Sequence, residues 1–469
     1  MTLVIAGDRS GVGKTTITLA LLAALRQRGL AVQSFKVGPD YIDPMFHQFV
    51  TGRPCRNLDP VLTSEHYVQK CFSQHSQTSH SLIEGVMGLF DGAGGTDWGS
   101  TAHIARLLNL PILLVLDCAS LSGSVAAIAH GFKTFDPRLK LAGLVLNRVG
   151  SDRHQAMLTE ALAPLGLPIL GVLRRQSAIT IPDRHLGLVP TAELPDLRSL
   201  VDQLAYLGEA CFDWQQLLPL LQTSQICPDQ AISEPALPDL AGVRVAIAHD
   251  QAFSFYYPDN LDALADLGAE LVSWSPLQDA GLPAGVQGLY LGGGFPEMFA
   301  PALAANLPAR QSVRQALQAG LPTYAECGGL MYLCQQIETL EQESFPMVGV
   351  LPAQATMGQR LSLGYRQAIA LRDTPLLSAG TGVWGHEFHR SQLLDRANAP
   401  IFTTTGFRAK STPASALTWQ PEGWQQHQVH ASYIHLHWGD RLELPRRFLS
   451  HCRAYGKQVA LTGLFNGCQ

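Results

Sequence analysis

Two stretches of this 469-residue chain combine residue types that could do chemistry, and they lie far apart in the sequence. The first is the run GDRSGVGKTT over Gly7–Thr16, in which three glycines precede a lysine and two threonines. The second is the run YAECGGLM over Tyr324–Met331, in which Cys327 stands between an acidic residue and two glycines. A glycine-rich turn of the first kind can hold a phosphate group, and a cysteine in the second setting can be a nucleophile.

The first run lies between a predicted strand, Leu3–Ala6, and a predicted helix, Ile17–Arg28. Glycines let backbone N–H groups point at a phosphate, and the helix N-terminus adds partial positive charge. Gly7 and Gly13 enclose five residues rather than the usual four, which resembles the variant loop of dethiobiotin synthetase and its relatives. The residues predicted to bind ATP here are Gly11, Gly13, Lys14, Thr15 and Thr16.

Polar side chains follow further predicted strands of the first half. Asp40 comes shortly after one such strand, Glu84 ends another and Asn147 ends a third. Ligands of open parallel sheets bind outside the carboxyl ends of the strands, so we expect these side chains beside the phosphate loop. Mg²⁺ prefers hydroxyl and carboxylate oxygens. The predicted metal ligands are therefore Thr15, Asp40 and Glu84, and Asn147 is predicted to contact the nucleotide base.

The second half repeats the strand–helix pattern from Val243 onward, and Cys327 falls on a sharp turn between a strand and a helix. This is the setting of a nucleophile elbow, and the helix start is expected to lower the pKa of the thiol. Gly293 and Gly294 follow another predicted strand and are expected to offer N–H groups to an oxyanion. The general base is expected to be His435 or His437, which share one face of a strand.

Composition excludes several classes of protein. The formal net charge is −5, which gives no sign of a nucleic-acid surface. No apolar run reaches the roughly 18 residues that span a bilayer, and Met1 leads directly into a strand, so neither a membrane anchor nor a signal peptide is expected. The nine cysteines lack paired CxxC spacing, which is typical of reduced thiols in a cytoplasmic protein.

The order of elements predicts an α/β protein with two main domains. Residues 1–193 are predicted to form a doubly wound parallel-sheet domain with the phosphate loop, and residues 242–469 a second α/β domain like that of class I glutamine amidotransferases. Five prolines mark residues 194–241 as a connector that includes a helical stretch.

Four segments of the first half carry a family resemblance: Lys36–Pro44, Gly52–Pro54, Asn57–Pro60 and Glu84–Gly92. They resemble the amidating synthases of corrin-ring biosynthesis, and among these the cobyrinic acid a,c-diamide synthase family. The resemblance implies ATP and glutamine as co-substrates, Mg²⁺ as cofactor, and amidation of the a and c acetates of cobyrinic acid through acyl phosphates. It implies substrate-side roles for Tyr41, Ile42, Asp43 and Asp91, and a homodimer is possible.

In the second half, the run from Tyr433 to His435 resembles the Tyr-x-His that ends the last strand of corrin-type glutamine amidotransferases. This implies His435 as the base for Cys327. The usual third acid would stand at position 437, where His437 is found, so a Cys–His dyad is expected with His437 in reserve. The block Gly385–Ser391 also matches the family, and His386, Glu387 and His389 within it have either a metal-binding or a structural or interface role.

Three alternatives remain at this point. A partition-type switch ATPase would carry a signature lysine where this chain has Arg9, and it would not need Cys327. A related enzyme could act on nickel-sirohydrochlorin or hydrogenobyrinic acid. A degenerate amidotransferase acting as a scaffold is disfavoured by the intact Lys14 and Cys327.

Overall fold

The computed structural model describes residues 2–77, 80–175, 183–184, 187–194, 196–221, 240–407 and 418–462. The chain divides into two compact units, residues 1–231 and residues 232–469. Within the described ranges, no helix combines the length and the apolar character needed to cross a bilayer.

The first unit alternates strands and helices for most of its length. Its strands are β1 (Thr2–Gly7), β2 (Val32–Val37), β3 (Arg56–Leu58), β4 (His80–Glu84), β5 (Pro111–Asp117), β6 (Lys140–Val149), β7 (Ile169–Arg174), β8 (Asp183–Arg184) and β9 (Gly187–Leu188). Its α-helices are α1 (Lys14–Gln27), α2 (Ile42–Thr51), α3 (Glu65–Ser76), α4 (Thr101–Leu107), α5 (Ser124–Phe135), α6 (Asp152–Leu162), α7 (Leu197–Cys211) and α8 (Trp214–Leu221).

Seven of these strands form one parallel sheet in the order β3-β2-β4-β1-β5-β6-β7. Strands β1 and β5 are almost entirely buried and apolar, as expected for central strands covered by helices on both faces. Since the strands run in the same direction, the segments after β1, β2, β4 and β6 leave the sheet at one edge. The phosphate loop follows β1, and Glu84 and Asn147 end or nearly end β4 and β6.

Part of the predicted connector belongs to the first unit. Helix α7 packs along α1, and Gly208 approaches the backbone at Ala20 so closely that a side chain there would collide with it. The Trp214 indole N–H donates to the Gly208 carbonyl at 3.0 Å, and the Arg28 guanidinium lies over the Trp214 ring. Helices α7 and α8 therefore extend the first unit beyond residue 193.

The described residues of the second unit form two sheets and five α-helices. Its strands are β10 (Arg244–Ala248), β11 (Glu270–Trp274), β12 (Gly288–Leu291), β13 (Thr323–Glu326), β14 (Gln336–Glu338), β15 (Ser344–Pro346), β16 (Gln354–Ala370), β17 (Gly382–Leu393), β18 (Phe402–Gly406), β19 (Gln420–Glu422), β20 (Trp424–Gln426), β21 (Val429–Ser432) and β22 (His435–Leu436). Its helices are α9 (Pro258–Asp266), α10 (Ala300–Ala305), α11 (Leu307–Gln318), α12 (Gly328–Leu333) and α13 (Glu443–Thr462).

The first sheet of this unit has the order β11-β10-β12-β13-β21-β20, with every neighbour parallel except the edge strand β20. The second sheet has the order β15-β14-β16-β17-β22, and β18 and β19 extend it from β16. Parallel pairing places Glu326 beside Ser432. Antiparallel pairing places His386 of β17 beside His435 of β22. The ends of β13, β21 and β22 thus lie together, and the predicted nucleophile and base come from them.

Candidate functional site

The phosphate loop has the backbone that its glycines were predicted to permit. Gly11 and Gly13 have φ values of 74° and 94°, which favour glycine, and α1 begins directly after them at Lys14. A Cβ atom at Gly13 would lie 2.5 Å from the Asn147 amide nitrogen, so only glycine fits there without a shift. The loop is therefore a tight backbone turn that ends in a helix N-terminus.

Lys14 lies over this loop with its ammonium held by backbone oxygens. Its Nζ donates to the carbonyl of Arg9 at 3.3 Å and to that of Met87. Burial and then the positive charge of Lys36 lower the pKa of Lys14 to about 8. The positive charge of Lys14, which could hold a phosphate, thus lies over the loop, and its surroundings stabilise it only in part.

A lysine that the sequence did not single out, Lys36, lies in the middle of the carboxylates. Its Nζ is 2.6 Å from Asp43 Oδ2 and 2.9 Å from Glu84 Oε1. The hydroxyl of Thr15 donates to the same Glu84 oxygen at 2.7 Å. The other Glu84 oxygen accepts from His47 Nε2 at 2.7 Å. Glu84, which is itself fully buried, is therefore the centre of a polar network at the mouth of the loop.

The charges of this network depend on one another. Burial alone would lower the pKa of Lys36, but the carboxylates of Asp43, Glu84 and Asp40 raise it well above its ordinary value. Burial would raise the pKa of Glu84, but Lys36 and His47 hold it well below its usual range. Burial and the nearby charge of Asp40 raise the pKa of Asp43. The network keeps Lys36 charged and Glu84 ionised.

The oxygen atoms of this network are chemically suited to Mg²⁺, and Asp43 lies among them beside the predicted ligands Thr15 and Glu84. Thr15 Oγ1 lies 2.7 Å from Glu84 and 3.3 Å from Asp43, so these three residues gather their oxygens. Asp40 stands further out, 3.7 Å from Lys36, and its Oδ1 accepts the backbone N–H groups of Ile42 and Asp43 at the start of α2. By geometry, Asp43 fits a hard cation better than Asp40 does.

The remaining predicted site residues of the first unit are either buried or hydrogen-bonded to backbone groups of nearby turns. Tyr41 and Ile42 are buried at the start of α2. Asp91 accepts the N–H of Gly88 at 2.9 Å and so holds the turn after β4. The Asn147 amide donates to the Val12 carbonyl at 2.8 Å, which braces the phosphate loop. Its role in contacting a base remains a prediction.

Two arginines beside the loop were not singled out as binding residues. Arg9 and Arg148 pair with the same carboxylate oxygen of Asp117, at 2.8 Å and 2.7 Å. Arg148 also donates to the Gly11 carbonyl, and both side chains are about half exposed. Arg148 directly follows Asn147, so its position at a strand end was the available signal. Two cationic groups therefore stand at the entrance of the phosphate loop.

The predicted sharp turn at Cys327 is present. Cys327 has φ 45° and ψ −96° between β13 and α12, a strained conformation for a residue with a side chain. Its backbone N–H donates to the carbonyl of Ser432 at 2.8 Å, and its carbonyl accepts from Met331 at 3.0 Å. These bonds hold the backbone of the elbow from both sides.

The expected effect of the helix start on the thiol was wrong. Burial, followed by the negative charges of Glu297, Glu326 and Glu387, raises the pKa of Cys327 well above its ordinary value. Helix α12 is only six residues long, so its N-terminus offers little to oppose burial and these negative charges. The resting sulfur is a protonated thiol, and it needs a base before it can attack.

The two predicted oxyanion glycines lie against the proposed catalytic groups. A Cβ atom at Gly328, the residue after Cys327, would lie 3.0 Å from the backbone nitrogen of Gly294. A Cβ atom at Gly293 would lie 2.6 Å from His435 Cε1. Gly293 also accepts the N–H groups of Ser254 and Phe255, so the segment is anchored. Backbone N–H groups are thus available beside the elbow.

His435 is buried beside this segment, and its surroundings differ from those of His437. His435 Nδ1 lies 3.4 Å from Glu326 Oε2, and its ring stacks on that of His386 with 4.9 Å between centroids. His437 Nδ1 accepts the N–H of Gly439, and its Nε2 faces Asp259 at 3.9 Å. Sequence reasoning assigned no role to Glu326, whose local signal is its position directly before Cys327.

The block around residue 386 is part of the wall of this site and not a metal cluster. Among the residues that the structure describes, His386, Glu387 and His389 do not bring their ligand atoms within 4.8 Å of one another. His389 stacks on Tyr433 at 3.9 Å, and Glu387 pairs with Arg366 at 2.9 Å. Packing and an ion pair account for these side chains.

Comparison with known proteins matches each unit to a family. A CobQ/CobB/MinD/ParA nucleotide binding domain matches residues 3–189, and a CobB/CobQ-like glutamine amidotransferase domain matches residues 244–442. Cobyrinate a,c-diamide synthase of a Synechococcus strain is 60% identical over 456 residues, which cover 97% of this chain and 98% of that protein. The chain belongs to the cobyrinate a,c-diamide synthase family.

Two further relatives cover nearly the whole chain. Cobyrinate a,c-diamide synthase of a Synechocystis strain is 52% identical over 99% of this chain and 96% of its own. Hydrogenobyrinate a,c-diamide synthase of Streptomyces coelicolor is 43% identical over 96% of this chain and 97% of its own. Membership confirms the predicted α/β fold class and a glutamine-hydrolysing amide ligase. A switch ATPase of the partition type is disfavoured, since it needs no amidotransferase domain.

Proposed function

We propose that this enzyme uses ATP and glutamine to amidate the a and c acetate groups of cobyrinic acid, in the biosynthesis of cobalamin. The observation that carries the proposal is the presence of two separate chemical sites in a single family member. The first unit has a phosphate loop with Lys14 and a Thr15–Glu84 contact. The second unit has a strained cysteine elbow with a buried histidine nearby. An amide ligase needs both activation of a carboxylate and a source of ammonia.

In the first unit, the γ-phosphoryl group of ATP is transferred to a carboxylate oxygen of the substrate, giving ADP and an acyl phosphate. Lys14 stabilises the transferring charge, with Arg9 and Arg148 at the entrance of the loop. Thr15, Asp43 and Glu84 would hold Mg²⁺, with Asp40 nearby, and the ion would neutralise phosphate charge when bound. Tyr41, Ile42 and Asp91 shape the substrate side by positioning backbone.

In the second unit, the Cys327 sulfur attacks the side-chain carbonyl carbon of glutamine, and His435 takes the thiol proton. The oxyanion receives hydrogen bonds from backbone N–H groups near Gly293, Gly294 and Gly328. His435 returns the proton to the leaving nitrogen, the C–N bond breaks, and ammonia departs. Water then hydrolyses the glutamyl thioester to glutamate and restores the thiol.

The two products meet in the amide-forming step. Ammonia attacks the carbonyl carbon of the acyl phosphate, and phosphate leaves with the electron pair of the broken C–O bond. The division into two sites has a physical reason. A free carboxylate is a poor acyl donor, and free ammonia is mostly protonated at neutral pH.

The substrate assignment is supported by the names of the relatives. The two cyanobacterial relatives at 60% and 52% identity are named for cobyrinate, and the relative at 43% is named for hydrogenobyrinate. Hydrogenobyrinic acid is therefore the second candidate.

The decisive experiment incubates the protein with ATP, Mg²⁺ and glutamine labelled with ¹⁵N in its side-chain amide. Cobyrinic acid, hydrogenobyrinic acid and nickel-sirohydrochlorin are supplied separately, and mass spectrometry counts the labelled amides in each. We expect two labelled amides on cobyrinic acid. Absence of label from all three acids, with ATP and glutamine present, would refute the proposal.

A variant of the nucleophile separates the two sites. Cys327→Ala should lose glutamine-dependent amidation and keep amidation supported by ammonium salts at raised pH. Loss of both activities in a folded variant would show that the proposed division of labour is wrong.

A further inference from the structure

We propose that Glu326 is the positioning residue of the glutamine site, replacing the acid that is missing two residues after His435. This inference rests on the proposed roles of Cys327 and His435. Glu326 ends β13, directly before the nucleophile, and its side chain has no exposure to solvent. Its Oε2 lies 3.4 Å from His435 Nδ1, although 109 residues separate the two in sequence.

The surroundings of the carboxylate determine which nitrogen of His435 carries the proton. Oε1 accepts the backbone N–H of Leu436 at 3.0 Å and the hydroxyl of Tyr324. Oε2 accepts the hydroxyl of Tyr290 at 3.4 Å and faces His435. These contacts match the four lone-pair positions of an ionised carboxylate, which has no proton to give.

An acceptor of this kind requires a donor opposite it. His435 Nδ1 therefore carries the proton, and the Nε2 nitrogen of the neutral ring is left as the base. Burial, and in addition the charge of Glu326, raise the pKa of Tyr290 and of Tyr324 well above the ordinary value, so both hydroxyls keep their protons and donate. When His435 takes the thiol proton, the buried carboxylate of Glu326 stabilises the imidazolium that forms.

Other acidic groups near the histidines do not fill this role. His437 occupies the position of the missing acid, and its Nε2 faces Asp259. Glu387 is paired with Arg366. Glu422 accepts hydrogen bonds from the Ser432 hydroxyl at 2.7 Å and from the Tyr433 N–H at 2.8 Å. It therefore supports the chain segment that precedes His435 without contacting the imidazole through these bonds. This makes Glu422 a matched control for the support of the backbone.

The test replaces Glu326 with glutamine in the full-length enzyme. In Glu326→Gln the side-chain NH₂ can donate to His435 Nδ1, which moves the ring proton to Nε2 and removes the base. We expect the kcat of glutamine hydrolysis to fall by about 10³-fold with little change in KM. Amidation supported by ammonium salts should stay near the wild-type rate. The matched control Glu422→Gln should change kcat far less.

A spectroscopic measurement on the wild-type enzyme tests the inference even if Glu326→Gln does not fold. In wild-type enzyme labelled with ¹⁵N-histidine, the His435 signals are assigned by their loss in His435→Asn, and their shifts report the tautomer. We expect protonated Nδ1 in the neutral ring. Protonated Nε2, equal losses in Glu326→Gln and Glu422→Gln, or an unchanged kcat in Glu326→Gln would each overturn the inference. If wild-type enzyme releases no ammonia from glutamine, the proposed function itself fails.

Discussion

Gly293 offers a way to displace the proposed base without touching any charged group. An alanine Cβ there would lie 2.6 Å from His435 Cε1 and 3.2 Å from Phe255 Cβ. Carbon atoms in favourable contact are about 3.5–4.0 Å apart, so the imidazole must retreat by about 1 Å. His386 stacks behind the ring at 4.9 Å and limits the directions of that movement. Gly293→Ala is therefore a steric displacement of His435.

The size of the effect follows from that displacement. Moving a catalytic group by about 1 Å can cost about 10²-fold in rate. This corresponds to about 2.7 kcal/mol in the activation free energy, at 1.36 kcal/mol per factor of ten. We therefore expect kcat/KM for glutamine hydrolysis in Gly293→Ala to fall by about 10²-fold.

The assay compares glutamine hydrolysis with amidation supported by ammonium salts, which should be unaffected. Gly382→Ala is the matched control, since it lies in the same unit and its Cβ meets no atom within 4 Å. Both variants should fold, as shown by circular dichroism. A Gly293→Ala enzyme within threefold of the wild-type rate would show that His435, which Gly293 packs against, is not the base for glutamine hydrolysis.

Two further predictions concern pH. Because the pKa of Lys14 is lowered to about 8, ATP affinity should be constant below that pH and fall above it. Above that pH the free enzyme loses the positive charge of Lys14, whereas bound phosphate keeps Lys14 protonated. Calorimetric titrations between pH 7 and 9.5 that show constant affinity would contradict this prediction. Burial raises the pKa of Glu422 to about 8 from 4.5, so between those pH values the native state binds more protons than the unfolded state. The free energy of unfolding should therefore fall as pH rises through this range, by at most about 1.4 kcal/mol per pH unit. Glu422→Gln should flatten that slope in denaturant titrations at pH 5.5 and 7.5, and an unchanged slope would rule out this origin.

The features predicted well from the sequence are those that depend on neighbouring residues. The strand predicted at Leu3–Ala6 is found within one residue of those bounds, and a strand ends at Glu84 as predicted, because apolar runs of this length next to glycine-rich turns have few other conformations. The elbow at Cys327 was likewise predictable, since a strand, a cysteine and two glycines occur in succession.

The features that the sequence did not reveal depend on pairing between distant strands. Lys36 and Glu84 meet because β2 and β4 are neighbours in register, which no local pattern specifies. The pKa of the Cys327 thiol was expected to fall because the helix start was visible in the sequence. The burial of the sulfur and the approach of the distant carboxylates Glu297 and Glu387 were not visible in the sequence, and burial is the largest cause of the raised pKa.

The same pairing explains how the glutamine site can lack an acid at position 437. What a catalytic histidine needs is an acceptor at its Nδ1, and any strand that ends beside it can supply one. Strand β13 ends there because it leads into Cys327, the proposed nucleophile, and its last residue, Glu326, is therefore the acid that lies beside His435. One strand end would then fix both the proposed nucleophile, Cys327, and the acceptor for its base, Glu326. A displacement of the end of β13 would move Glu326 and Cys327 together, so the geometry between these two residues would be preserved.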